Sequence, residues 1–454
     1  MKAKFLLIGF LLSISACRRD DPQMMDKTLR HTLRSAKINV LETPQPQNPK
    51  VVELGKNLFF DKILSGRKDI SCATCHNPSF YTGDGISLSI GVGGKGTGPE
   101  RVLGEGRTFN SRNAMDLFNR GLSNFNALNW DGSISSEKGK LEKTPAGKDL
   151  PPGLDGPLAA QHLFALASRQ RMRGQLDDSV AVDKTPNELA SIPDDDFKAI
   201  WNAYMARLMG NPPGEGGIPE YIELFKAAYP TVPVDKIGIQ HTVNAIAAWE
   251  TDAWTSTASP FDRYIAGDNG ALNKAQKRGA LLFYGKARCY ECHSGGILTD
   301  MKYHNIAAPQ IGPGVGAEAP LDIGRGGITD KPVDKFKFRT PPLRNVALTG
   351  PWMHSGAYTN LEAAVRHHLN PKEALRDYDP SQLDPRFQDM VHNKEIIGAG
   401  VLNTIDGVVA NPINLNDQEF SDLMDFLQSL TDPKALDQYG GIPGTVPSGL
   451  PVYD

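Results

Sequence analysis

Apolar residues along the chain recur at three- and four-residue intervals in short segments that glycine and proline interrupt, and no succession of alternating strands is apparent. The spacing predicts helices over 194–209, 219–228 and 234–254, and another over 361–368 that Asn370-Pro371 stops. Two further helical segments share a pattern: Gly55-Lys56-Asn57-Leu58-Phe59 and Gly279-Ala280-Leu281-Leu282-Phe283 both run Gly-x-x-Leu-Phe. On a helix the glycine admits a second helix at close range, while the Leu-Phe pair faces a core. Residues 82–107 are glycine-rich around Gly91-Val92-Gly93-Gly94-Lys95-Gly96, with no strand before and no helix directly after. A long loop is expected there rather than a phosphate cradle. The tail after Asp432, rich in glycine and proline, should wrap across the surface.

The amino terminus departs from this pattern. Lys2 and Lys4 precede an apolar run from Phe5 to Leu12 and then Ile14-Ser15-Ala16-Cys17, the form of an export signal too short to span a membrane. Small residues before a cysteine form a lipidation box, which makes Cys17 the candidate lipid-bearing first residue of the mature chain. The plainer alternative is a signal peptide with an incidental cysteine. The expectation is an exported protein of the periplasm or cell envelope, anchored through lipid, with 18–47 as its tether. The 454 residues, 40% hydrophobic, suffice for two or three domains with packed cores. A net charge of -3 leaves no basic footprint, so nucleic acid is excluded as a partner.

The remaining cysteines lie in two runs, Cys72-Ala73-Thr74-Cys75-His76 and Cys289-Tyr290-Glu291-Cys292-His293. Each thiol pair can add to the vinyl groups of a haem, and the histidine that follows is then placed beneath the iron. A zinc pair would call for further cysteine or histidine at close spacing, and a redox dithiol would not require the trailing histidine twice. Attachment of a c-type haem at both runs accounts for the cysteines. With a shared order of helix, loop and haem run, the chain is expected to be an internal duplication. Its parts would be a signal peptide over 1–17 ending at the lipidated cysteine, a tether over 18–47, a first cytochrome c domain with a helical insertion over 48–258, a second over 259–432, and a tail over 433–454. The fold class is all-α, with two cytochrome c-like haem domains packed together and carrying long loops.

His76 and His293 each leave the opposite position of their iron to a side chain, water or substrate. Leu361, Ala364, Val365 and His368 fall at i, i+3, i+4 and i+7 and share one helical face, while His367 points about 100° away. His368 is therefore the candidate second ligand of the second iron, with His367 the spare. A satisfied core histidine is the alternative.

Together with Asn129-Trp130-Asp131-Gly132, Leu158-Ala159-Ala160-Gln161, Pro342-Leu343-Arg344-Asn345 and Pro351-Trp352-Met353-His354-Ser355-Gly356, the two haem runs resemble, in order and from 48 to 432, the bacterial di-haem cytochrome c peroxidases and their MauG-type relatives. The resemblance implies a peroxide site at the first haem, fed with electrons from the second, and makes Trp130 the candidate relay between them; simple core packing is the alternative. It also implies a calcium ion between the domains, held by Asn110 and the carbonyls of Thr349 and Pro351, since hard oxygens suit calcium. Family members cap the second iron with methionine or tyrosine at the position of His368. Imidazole in place of a thioether lowers the reduction potential. Where many members carry a histidine that blocks the first iron, this chain has Val92, which cannot ligate.

The family's distal glutamine matches Gln161, but its glutamate falls on Arg171 in Arg169-Gln170-Arg171-Met172. Arginine keeps its proton and cannot shuttle one. A fixed cation can still stabilise the charge that develops as the O–O bond breaks, unless Arg171 is a surface or propionate-pairing residue. His162, next to Gln161, would point elsewhere on a helix and is a poor cap for the first iron. The resemblance thus implies an oxidoreductase reducing hydrogen peroxide to water at the His76 iron, with Gln161 and Arg171 acting on the peroxide and a small cytochrome or copper protein as electron donor. A MauG-type oxidase of partner side chains and a membrane-anchored di-haem electron carrier are the rival expectations. Family members are often dimers, so a homodimer is expected on the resemblance alone.

Overall fold

The computed structural model describes residues 21–137, 140–437 and 441–453. The signal peptide and Cys17 lie outside the described residues. Helix dominates: α1 (Pro22–Ser35), α2 (Pro49–Phe60), α3 (Pro157–Ala167), α4 (Phe197–Met209), α5 (Pro219–Ala228), α6 (Ile239–Trp254), α7 (Lys274–Phe283), α8 (Leu361–Leu369) and α9 (Asp417–Gln428), with shorter turns between them. Strands are few and small. β1 (Ala127–Leu128), β2 (Ile134–Glu137) and β3 (Lys140–Lys143) form one antiparallel sheet, and β4 (Tyr303–His304) pairs antiparallel with β5 (Phe338–Arg339), Tyr303 opposite Arg339. No helix of the described residues is long and apolar enough to cross a membrane.

The two Gly-x-x-Leu-Phe helices occupy matching places. Asn48 and Asn273 cap α2 and α7 by accepting from the Lys50 and Gln276 N–H groups, which fixes where each helix starts. α2 crosses α6 at Gly55, where a Cβ would lie 1.8 Å from the Ala245 carbonyl oxygen. α7 crosses α9 at Gly279, where a Cβ would lie 1.8 Å from the Asp422 carbonyl oxygen. Only glycine lets the two backbones meet at either crossing. Around the first crossing Leu54, Leu58, Phe59 and Ile246 form one apolar core, enlarged by Trp201 and Tyr204 of the inserted α4. Around the second, Phe283, Leu423, Phe426 and Phe261 form another.

The local starts of helices differ from the periodicity where a cap intervenes. α4 begins at Phe197 because the Asp196 side chain accepts from the Ala199 N–H. Gly238 separates the turn Val234–Lys236 from α6. The stretch expected as a tether holds α1, whose Met25, Leu29 and Leu33 are buried and whose Asp26 takes an ion pair from Lys277 at 2.8 Å. Leu29 and Leu33 belong to the second core, so 22–35 is packed structure rather than a spacer. The tail turns back onto the first core through Val446, while Ser448 donates its N–H and hydroxyl to the buried Asp61 carboxylate.

Candidate functional site

Both Cys-x-x-Cys-His runs fold into a single helical turn, at Cys72–Cys75 and at Cys289–Glu291. In each, the histidine N–H donates to the carbonyl of the first cysteine at 2.9 Å, which brings thiols and imidazole to one side. The His76 Nδ1 lies 3.1 Å from the Thr82 carbonyl oxygen and the His293 Nδ1 lies 3.2 Å from that of Leu298. A proton on Nδ1 leaves the Nε2 lone pair for a metal. Burial lowers the pKa of both rings, for His293 to about 4, so each is neutral and able to ligate. The same burial pushes the Cys72 and Cys289 thiols up to about 12. A thiol so raised keeps its proton, which disfavours a reactive dithiol.

In the second half a cavity of about 200 Å³ is lined by Cys289, Cys292, His293 and His368. The rings of His293 and His368 face each other with centroids 6.4 Å apart. Two imidazoles that each bind one metal ion through a bond of about 2 Å would have centroids about 6 Å apart, so the pair fits a single iron between them. The His368 Nδ1 is engaged by the Ala364 carbonyl at 2.8 Å, which again leaves Nε2. His367 is placed differently. Fully buried, it donates from Nε2 to the Ile306 carbonyl and accepts at Nδ1 from the Tyr358 hydroxyl, so both nitrogens are used by the core.

The surroundings of His76 are of another kind. Gln161 on α3 donates its amide to the Asn129 Oδ1 at 3.0 Å. Arg171 sits on a wide turn at Arg169–Arg173, and its guanidinium makes no hydrogen bond among the described residues. Its side chain keeps exposed surface, yet crowding by protein, with the Arg112 charge, lowers its pKa, and its own charge reaches His76. Val92 donates its N–H to the Gln170 carbonyl and is buried, while Gly91 has no room for a Cβ against that same carbonyl. The glycine-rich loop is thereby pressed against the Arg171 turn.

His162 is held by the Glu250 carboxylate at 2.7 Å, which turns it away from a role as a cap. Sequence reasoning misses Glu250, whose charge acts on both Cys72 and His76; a lone glutamate on an apolar helix gives no signal of a partner on another helix.

Trp130 belongs to the second region. It lines the second cavity, donates from Nε1 to the Asn113 carbonyl at 3.2 Å, and accepts at its own carbonyl from the Arg339 N–H at 2.7 Å. Its neighbour Asn129 accepts from Gln161 on one side and from the Arg339 Nε on the other.

Thr349 and Pro351 also line the cavity, but Asn110 does not; it donates instead to the Ser89 carbonyl. Asn113 lines that cavity as well. Asn110 and Asn113 stand three residues apart in Asn110-Ser111-Arg112-Asn113, and only the second reaches the cavity.

The sequence pattern of the family described as di-haem cytochrome c peroxidase matches residues 49–270. A cytochrome c551 peroxidase of Pseudomonas aeruginosa is 30% identical over 322 residues, 71% of this chain and 72% of that protein. The methylamine utilization protein MauG of Methylorubrum extorquens is 29% identical over 334 residues, 72% of this chain and 71% of that protein. Among solved structures, a MauG-like protein associated with microbial copper homeostasis superposes with a TM-score of 0.56 at 24% identity, covering 87% of this chain and 94% of that one, a likeness of fold.

Proposed function

Since this chain belongs to the di-haem cytochrome c peroxidase family, we propose that it reduces hydrogen peroxide to water at the His76 site, with electrons that enter at the site of His293 and His368. The observation that carries this reading is the asymmetry of the two histidines: His293 faces a second imidazole, whereas the side chains whose charges reach His76 are Glu250, the His162 bound to it, and Arg171. Two c-type haems, attached through Cys72 and Cys75 and through Cys289 and Cys292, supply the redox chemistry when bound.

The chain's own residues then have these tasks. The Thr82 and Leu298 carbonyls hold the tautomers of His76 and His293. His368 closes the far side of the second site against exogenous ligands. Gln161, steadied by Asn129, orients peroxide by hydrogen bonds, and Arg171 offers fixed positive charge to the separating oxygens. Arg171 keeps its proton, so the two protons consumed with two electrons per peroxide come from water. Trp130 bridges the sites as relay.

The chain would divide into a first cytochrome c domain over 48–258 and a second over 259–432. It would be exported and lipid-anchored at Cys17, and would take electrons from a small cytochrome or copper protein. A calcium ion would use Asn110 with the carbonyls of Thr349 and Pro351, or Asn113 in place of Asn110. A MauG-type oxidation of a partner's side chains gains support from Val92, buried where a blocking histidine would stand.

Low-temperature electron paramagnetic resonance of the oxidised, haem-loaded protein tests the proposal. One high-spin signal lost on adding peroxide, beside one low-spin bis-histidine signal, is expected. Two low-spin signals indifferent to peroxide, in the oxidised and half-reduced forms alike, would overturn it.

A further inference from the structure

Several arginines in this fold are answered by carboxylates: Arg112 pairs with Asp131 and Asp322, Arg173 with Asp194, and Arg344 with Asp262 at 2.8 Å. Arg339 is not. It is 1% exposed, and among the described residues its guanidinium meets only neutral partners: the carbonyls of Asn129 and Thr340 and the sulfurs of Met115 and Met301. Thioether sulfur is a weak acceptor, so the outer edge of the fork is poorly satisfied. Burial and the nearby Arg120 charge lower its pKa to about 9.

Arg120 stands next to it, and the two guanidiniums lie over the same Phe125 ring at 4.7 and 5.7 Å from its centroid. Arg120 is 4% exposed; its Nε and Nη2 are taken by Asp116, but its Nη1 is buried without a partner. Both arginines line the cavity of His293 and His368. The other charged or titratable groups about this wall are Asp116, bound to Arg120, Asp131, bound to Arg112, and Tyr303, with His304, His354 and Arg288, paired with Glu291, elsewhere on the cavity lining. None of the carboxylates is free to answer Arg339.

An uncompensated buried cation is costly, and guanidinium is shaped to take carboxylates through paired N–H groups. On the reading that this cavity holds a haem, we infer that Arg120 and Arg339 form a clamp for the propionate carboxylates of the second haem and turn its propionate edge toward Trp130. Arg339 reaches the Trp130 carbonyl through its own N–H and Asn129 through Nε, so the clamp also ties that haem edge to the residues that hold Gln161.

A cation beside a haem disfavours the ferric form, and a buried propionate stripped of its cation takes up a proton when the haem is reduced. The test is a spectroelectrochemical titration of each haem from about pH 5 to about pH 9 in the matured protein, with haem content set by mass. Arg339→Met and Arg120→Met should lower the potential of the second haem and give it a fall with rising pH that the parent lacks. Arg339→Lys should retain the parent behaviour in part, and the first haem should not move. Second-haem potentials and pH slopes that coincide with the parent in both methionine variants would overturn the clamp, as would shifts confined to the first haem. A parent with no haem at Cys289 and Cys292 would instead overturn the reading on which the clamp rests, and turnover with peroxide decides neither outcome.

Discussion

The two Cys-x-x-Cys-His regions are nearly the same object up to the imidazole and quite different beyond it. Each is preceded by a helix whose glycine meets a carbonyl of a later helix at 1.8 Å from a would-be Cβ, each histidine N–H returns to the first cysteine, and each Nδ1 is held by a carbonyl 3.1 or 3.2 Å away. What stands across from the ring comes from elsewhere in the chain. For His293 it is His368, from a helix more than seventy residues downstream. Around His76 the charges come from His162 on α3, Glu250 on α6 and Arg171 on the Arg169–Arg173 turn. Capture of a cofactor is thus written locally and twice, while the division of labour is written by the segments that differ.

The sharpest way to break that comparison is to remove the imidazoles one at a time. His76→Ala should abolish peroxide-dependent turnover while the second haem's spectrum stays as it was. His368→Ala should convert the second haem from low to high spin in electron paramagnetic resonance. His367→Leu, one residue away, should leave the spin state alone and cost about 1–3 kcal/mol in denaturant unfolding, because the Ile306 carbonyl and the Tyr358 hydroxyl lose a buried partner. A spin change in His367→Leu with none in His368→Ala would reverse the assignment.

Next in size is Gln161→Ala. Loss of one oriented hydrogen-bond donor should lower kcat/KM for peroxide by about 10²-fold, with the second haem's potential unchanged. An undiminished rate would remove Gln161 from the first site's chemistry. A smaller effect tests the likeness rather than the difference. Gly55→Ala and Gly279→Ala should each destabilise by about 1–3 kcal/mol, because each forces the same two backbones apart. A large loss at one crossing and none at the other would break the pseudo-symmetry.

Much of this likeness is legible in the bare sequence, because it rests on short-range patterns: the two haem runs, the two Gly-x-x-Leu-Phe segments, and the i, i+3, i+4, i+7 face that carries His368. The helix over 219–228 is likewise continuous in its apolar spacing. What is not legible depends on long-range neighbours. The apolar residues of α1 are only Met25, Leu29 and Leu33 in a polar stretch, and their meaning appears when Asp26 meets Lys277. Strands of two to four residues are too short to show alternation. Asn113 differs from Asn110 only in which of them reaches the cavity wall, and Arg339 looks ordinary until its neighbours prove to be neutral.

The smallest expected effect concerns two carboxyls that stand two residues beyond the carbonyls gripping the two histidines, Asp84 after Thr82 and Asp300 after Leu298. Burial pushes Asp84 up to about 7, with the Ile86 N–H and the Arg101 charge offsetting only part of the penalty. Burial acts on Asp300 too, but the hydrogen bond from His304 at 2.9 Å and the charge of that ring pull its pKa below the ordinary value. The two should therefore make stability depend on pH with opposite sign. Asp84 binds its proton more tightly in the native state, so its contribution is full below the unfolded value near 4 and is lost as pH rises toward 7. Asp300 releases its proton more readily, so its contribution is present above that value and is lost on acidification. Denaturant midpoints followed from about pH 4 to about pH 8 should flatten in Asp84→Asn, by a slope of at most about 1.4 kcal/mol per pH unit. Asp300→Asn should instead weaken the protein at the neutral end. Equal slopes in both variants would mean that the two histidine grips share one electrostatic environment after all, and that the difference between the regions begins only at the side chains facing the rings.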